Sequence, residues 1–89
     1  MVDIKIDKRD FDYLTESNLD ENVKDLINTN HSKNFNAIHL KIDSGIGNKI
    51  LDFLADELMR VGLKENDEPN SLGLFIENII DKFSREIYK

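Results

Sequence analysis

The chain contains no cysteine, so neither a disulfide framework nor a thiolate metal site can hold it together. That absence fits a reducing interior, and the cytoplasm is the expected compartment. Tryptophan is missing too, and a single proline, Pro69, leaves backbone punctuation to four glycines and a larger stock of asparagine. No apolar run approaches the roughly 18 residues that a membrane-spanning helix needs. The opening MVDIKIDKRDF carries a charge every few residues, unlike a secretory leader. The expectation is a soluble protein without a membrane segment. Positive charge is in deficit: 12 Lys and Arg stand against 18 Asp and Glu, a net charge of −6. Such a field disfavours nucleic acid and attracts basic surfaces, although charge of this size also serves simply to keep a small protein in solution.

What remains is a chain of 89 residues, 39% hydrophobic and 34% charged, enough for one domain (1–89) with one modest core and no deep substrate cavity. Its clearest period lies near the C-terminus. Leu72, Phe75, Ile76, Ile79, Ile80, Phe83 and Ile87 fall on one helical face, with Glu77, Asn78, Asp81, Lys82 and Arg85 opposite. Pro69 suits the first turn of that helix, which makes Asp67 or Glu68 the expected N-cap. Gly73 inside it implies a fraying first turn or a neighbour in close approach to the backbone. A preceding helix is expected over Asn48 to Val61, with Ile50, Leu51, Leu54, Leu58 and Val61 on its inner side and Asp56 paired to Arg60 outside. Gly62 would close it as a left-handed cap with Leu63 folded back. The short connector to Pro69 predicts an antiparallel helical hairpin.

Two segments alternate as strands do: Val2, Ile4 and Ile6 against Asp3, Lys5 and Asp7, and Ile38, Leu40 and Ile42 against His39 and Lys41. Their pairing is natural, but two strands make a marginal sheet. Covering helices, a third strand from the Phe11 to Leu14 region, or a second subunit must complete it. Residues 8–17 are ambiguous, with a lean towards a short helix or turn. A further helix follows, capped by Ser17 or Asn18, with Leu19, Val23, Leu26 and Ile27 on one face and an end by Asn30. The polar run Asn28 to Asn36 reads as a loop. The fold class is therefore α+β, a small sheet of two or three short strands on a C-terminal helical hairpin, with three to four helices in all; a mainly α bundle is the alternative.

No constellation for catalysis, cofactor or metal emerges. Ser44-Gly45-Ile46-Gly47-Asn48-Lys49 starts like a phosphate-binding loop, but a dinucleotide fingerprint needs glycine where Ile50 stands, and a P-loop needs a different glycine spacing. It reads as a tight turn. The acidic run Glu65 to Glu68 lacks the ligand spacing of a calcium loop. His31 and His39 have no partners at zinc or nucleophile–base spacing. Carboxylates instead gather on the predicted hairpin: Asp52, Asp56, Glu57, Glu77 and Asp81 on its outer sides, Asp67 and Glu68 at its tip. Like charges at i,i+4 oppose helix formation by a few tenths of a kcal/mol, a cost that a basic partner would relieve. Asp52, Asp56, Glu77, Asp81, Glu68 and Asp67 are thus the candidate partner-binding residues. A homodimer built on the Ala37 to Asp43 edge, or on the off-stripe residues Phe53, Met59 and Leu74, is the alternative.

The run Gly62-Leu63, Asn66-Asp67-Glu68-Pro69-Asn70 and Leu72-Gly73-Leu74, with Glu77 and Ile80-Asp81, resembles the C-terminal helix pattern of small bacterial immunity proteins that neutralise polymorphic or contact-dependent toxins. The resemblance implies a non-enzymatic cytosolic protein that masks the active site of a toxin or nuclease.

Overall fold

The computed structural model describes residues 1–35, 37–66 and 68–89. Along the chain come β1 (Val2–Ile6), α1 (Lys8–Glu16), α2 (Glu21–Thr29), β2 (His31–Asn34), β3 (Ala37–Ile42), α3 (Ser44–Val61) and α4 (Ser71–Ile87). The sheet is antiparallel in the order β1-β3-β2, and the fold is α+β. β3 lies in the middle, with Ile4 opposite Leu40, Ile6 opposite Ile38, and Val2 opposite Ile42. Because side chains alternate across a strand, this register sends Ile4, Ile6, Ile38, Leu40 and Ile42 to one buried face. Asp3, Lys5 and Lys41 stay on the wet face, with His39 half-buried among them.

The helices cover the buried face alone. α4 runs beside β1 and packs against α3, while α1 and α2 touch each other and β3. Leu14, Leu19, Val23, Ile27, Ile50, Leu54, Ile76, Ile79 and Phe83 join the inner sheet residues in one apolar cluster. Among the described residues, no helix is long and apolar enough to cross a membrane.

Several expectations need correction. The polar stretch from Asn28 to Asn36 is not all loop: α2 continues to Thr29 and His31–Asn34 form β2. All four residues of β2 are exposed, so burial leaves no period to read. Their order comes from the ladder with β3 instead. β3 is consequently a central strand, and no dimer can form on an Ala37 to Asp43 edge.

Helix starts also move, each to the polar residue best placed to accept from the first free N–H groups. Asp20, rather than Ser17 or Asn18, caps α2 through N–H bonds from Asn22 at 2.9 Å and Val23 at 3.3 Å. Ser17 turns back to donate to the Leu14 carbonyl at the end of α1. Asp43 accepts from Ile46 N–H at 2.8 Å, so α3 begins at Ser44 and the Ser-Gly-Ile-Gly run is its first turn. Asn70, rather than Asp67 or Glu68, caps α4: it accepts from Gly73 N–H at 2.8 Å and donates to the Val61 carbonyl at 3.1 Å. Pro69 stays outside the helix in an isolated bridge with Leu63. Gly62 is right-handed (φ −96°) rather than left-handed. Its small size serves contact instead, since a Cβ on Gly62 would crowd the Gly73 Cα at 3.0 Å, as one on Gly73 would strike the Gly62 carbonyl oxygen. The close approach implied by Gly73 is thus the crossing of the two helices.

Candidate functional site

The outer face of the hairpin follows from helical geometry. α3 buries Gly47, Ile50, Leu54 and Glu57 on one stripe, and the 100° step per residue turns Asp52 and Asp56 to the far side. Both are exposed, as are Asp81 on α4 and Glu68 in the connector. Glu77 is half-buried, so it is less open than its spacing suggested. Asp67 lies outside the described residues. Among the described residues, no side-chain hydrogen bond or ion pair engages the carboxylates of Asp52, Asp56, Glu68, Glu77 or Asp81. These groups carry charge on the surface, Glu77 less openly than the rest.

Glu57 departs from the expected pattern. It is 9% exposed, because it occupies the place on the stripe that follows Leu54 by one turn. Tyr13 donates its hydroxyl to Oε2 at 3.0 Å, and the Arg60 guanidinium donates to Oε1. The expected Asp56–Arg60 pair is therefore replaced by Glu57–Arg60, and Asp56 acts on Arg60 only through its field. The Tyr13 ring meets Phe75 edge-on at 5.5 Å. Burial, and then the bond to Glu57, push the Tyr13 hydroxyl up to about 12. The cluster ties α1 to α3 and α4.

A second polar link joins α1 to α4. Asp7 and Asp10 make a capping box at the start of α1, and the Lys82 ammonium reaches the 2% exposed Asp10 at 2.5 Å. The Asp10 N–H, which bonds Asp7, is the main cause holding the Asp7 carboxyl below its ordinary value. Sequence reading missed Asp10 and Tyr13, took Lys82 only as part of the wet face of α4, and placed Glu57 on the outside of the hairpin. The D-x-x-D spacing of Asp7 and Asp10 was the available sign of the box, and the stripe position of Glu57 was the sign of its burial.

Cations gather, with two carboxylates among them, where the sheet meets the end of α4. An open groove of about 490 Å³ runs between the wet face of the sheet and the end of α4, lined by Asp3, Lys5, His39, Lys82, Arg85 and Glu86. His39 Nδ1–H donates to Asp3 at 3.1 Å. His31 is not in a loop as expected: its ring tilts against Phe11 at 4.7 Å and Nδ1–H donates to the Ile27 carbonyl at 3.1 Å, fixing the start of β2. Among the described residues, no three His, Asp or Glu side chains converge to hold a metal.

No protein family, no curated protein and no solved structure shows a significant match to this chain.

Proposed function

We propose that this protein works by binding rather than catalysis, as a small acidic module that docks a basic protein on the outer faces of α3 and α4. The observation that supports the reading is the set of unpaired carboxylates, Asp52, Asp56 and Asp81 with Glu68 and the half-buried Glu77 beside them. The fold has no use for them: Asp52 with Asp56, and Glu77 with Asp81, set like charges one turn apart. A basic surface would neutralise both pairs and accelerate association at low salt. In its most specific form the partner is a toxin or nuclease domain, as the resemblance of residues 62–81 to immunity proteins implies. That form rests on the resemblance and draws no support from relatives.

The test begins with the adjacent gene. If it encodes a secreted toxin with a basic C-terminal domain, that domain is titrated into the wild-type protein and into the triple variant Asp52→Ala, Asp56→Ala, Asp81→Ala. The reading requires binding that weakens with salt and is lost in the variant. Equal binding by both proteins would contradict it.

A homodimer is the second reading, favoured by two large apolar side chains left outside the core, Met59 at 72% and Leu74 at 55% exposure. Phe53 drops out of that set because it packs against the core. A strictly monomeric mass by light scattering at about 100 μM would remove this reading.

A further inference from the structure

The β2–β3 connection carries an unusual residue. The register pairs Asn34 with Ala37, so the turn begins at Phe35, which is 92% exposed and sits at φ 56°. Left-handed backbone at a hairpin turn suits glycine or asparagine and is costly for a bulky aromatic. Phe35 meets that cost without burying its ring, so the fold gains nothing from it, and strain of this kind gathers at functional positions. Its ring separates two grooves. One, of about 380 Å³, holds Lys5 and His39 on the wet face of the sheet; the other, of about 320 Å³, holds Lys8, Arg9 and Lys33. Among the described residues Asp7 lines the second groove and is engaged by the Asp10 N–H, while Asp12 pairs with Lys8 and Asp3 with His39, which leaves Lys5, Arg9 and Lys33 without an ion-pair partner. In a chain of net charge −6, these three cations make the corner a place where an acidic group can be received.

β2 is also an open edge. Lys41 N–H donates to the Asn30 carbonyl at 3.0 Å, which makes Asn30 and Lys41 a bonded pair of the antiparallel ladder. Bonded and non-bonded pairs alternate, so Ser32 and Asn34 turn their backbone groups towards β3, while His31 and Lys33 turn theirs outward. Among the described residues, no strand follows β2 in the sheet.

We infer that the β2 edge receives an extended acidic segment of a partner protein, added as a fourth strand and anchored by Phe35. Backbone bonds to His31 and Lys33 set the register. Side chains of the added strand alternate between the two sides of the sheet, so its acidic groups share one side with Lys33, Lys8 and Arg9 and its apolar groups lie on the other. A second copy of β2 fits poorly, since it would bring Lys33 and His31 against their own kind. Repulsion between the added strand and the acidic hairpin is screened over about 8 Å at physiological salt.

The probe is a capped hexapeptide alternating glutamate and valine, titrated into the intact protein while backbone amides are followed by NMR and hydrogen exchange. The inference expects shifts centred on β2 and slower exchange at the amides of His31 and Lys33. Phe35→Gly relieves the backbone, so the variant melts at or above the wild-type temperature yet binds the peptide about tenfold more weakly. Lys33→Glu also weakens binding without unfolding the protein. The inference is overturned if those two amides do not change, or if Phe35→Gly binds as well as wild type. Equal binding of a lysine–valine peptide or of oligothymidylate would overturn it too, as would protection of the two amides in concentrated protein without peptide, the sign of self-pairing. The acidic hairpin takes no part, so failure here leaves the proposed function standing, and the reverse also holds.

Discussion

α4 and β2 stand at opposite ends of one scale. α4 places Ile76, Ile79 and Phe83 wholly out of solvent against α3 and β1, and each such side chain contributes about 2 to 3 kcal/mol by burial. β2 buries none of its residues and is held by its ladder with β3. The contrast separates stability from availability. An element that anchors the core has few groups left for a partner, whereas one that contributes little to the core keeps its backbone and side chains free. Low local stability is also where binding segments are drawn from.

The largest expected effect tests the strong end of that scale. Ile79→Ala should leave a cavity and cost about 2 to 5 kcal/mol, a large fraction of the roughly 5 to 10 kcal/mol total of a domain this size. Ser32→Ala on β2 should stay within about 0.5 kcal/mol. Urea melts of the two variants measure the gap, and equal costs would abolish the comparison. Ile80→Ala belongs between them, because Ile80 is half-buried on the flank of α4 rather than at mid-stripe as its spacing suggested.

Next in size is Lys82→Ala, which strands the Asp10 carboxylate at 2% exposure and should cost about 3 kcal/mol. A double-mutant cycle with Asp10→Asn checks it: the pair should couple strongly, and simple additivity would show that the contact carries little.

Alkaline titration gives a smaller effect. The folded pKa of Tyr13, about 12, lies above its ordinary 10.0, so the unfolded chain loses this proton first. The stability that Tyr13 contributes is therefore complete below pH 10 and is lost as pH rises towards 12. Melting temperature should fall through that window in the wild type, and Tyr13→Phe should flatten the fall. At the acid end Asp7 acts in the opposite sense: its lowered pKa contributes stability above pH 3.8 that is lost as pH falls below that value.

The smallest effect is expected of Asp81→Ala. Its exposed carboxylate has no ion-pair partner among the described residues, and its removal relieves Glu77 of a like charge one turn away. The melting temperature should stay within a few degrees, by differential scanning fluorimetry.

The same division decides what was legible in the sequence. Ile76, Ile79 and Phe83 announce α4 because burial imposes a period, and Ile38, Leu40 and Ile42 announce β3 for the same reason. His31 to Asn34 bury nothing, so no period marks β2. The helix caps were misplaced because Asp and Asn are abundant near every boundary. Only tertiary contacts, such as the Asn70 bond to the Val61 carbonyl, pick one residue over its neighbour. Of the candidate carboxylates, Asp52, Asp56, Glu68 and Asp81 are open as expected. Glu57 is not, since a charge on the buried stripe is stabilised by Tyr13 and Arg60, which the spacing along α3 does not reveal.

Native-state hydrogen exchange, resolved by amide, tests most directly the claim that the core-bearing and available parts of this fold are distinct. The amides from Ile76 to Phe83 should exchange slowest, through global unfolding, and those of His31 and Lys33 should exchange fastest within the sheet. Protection of the β2 amides equal to that of α4 would contradict the account.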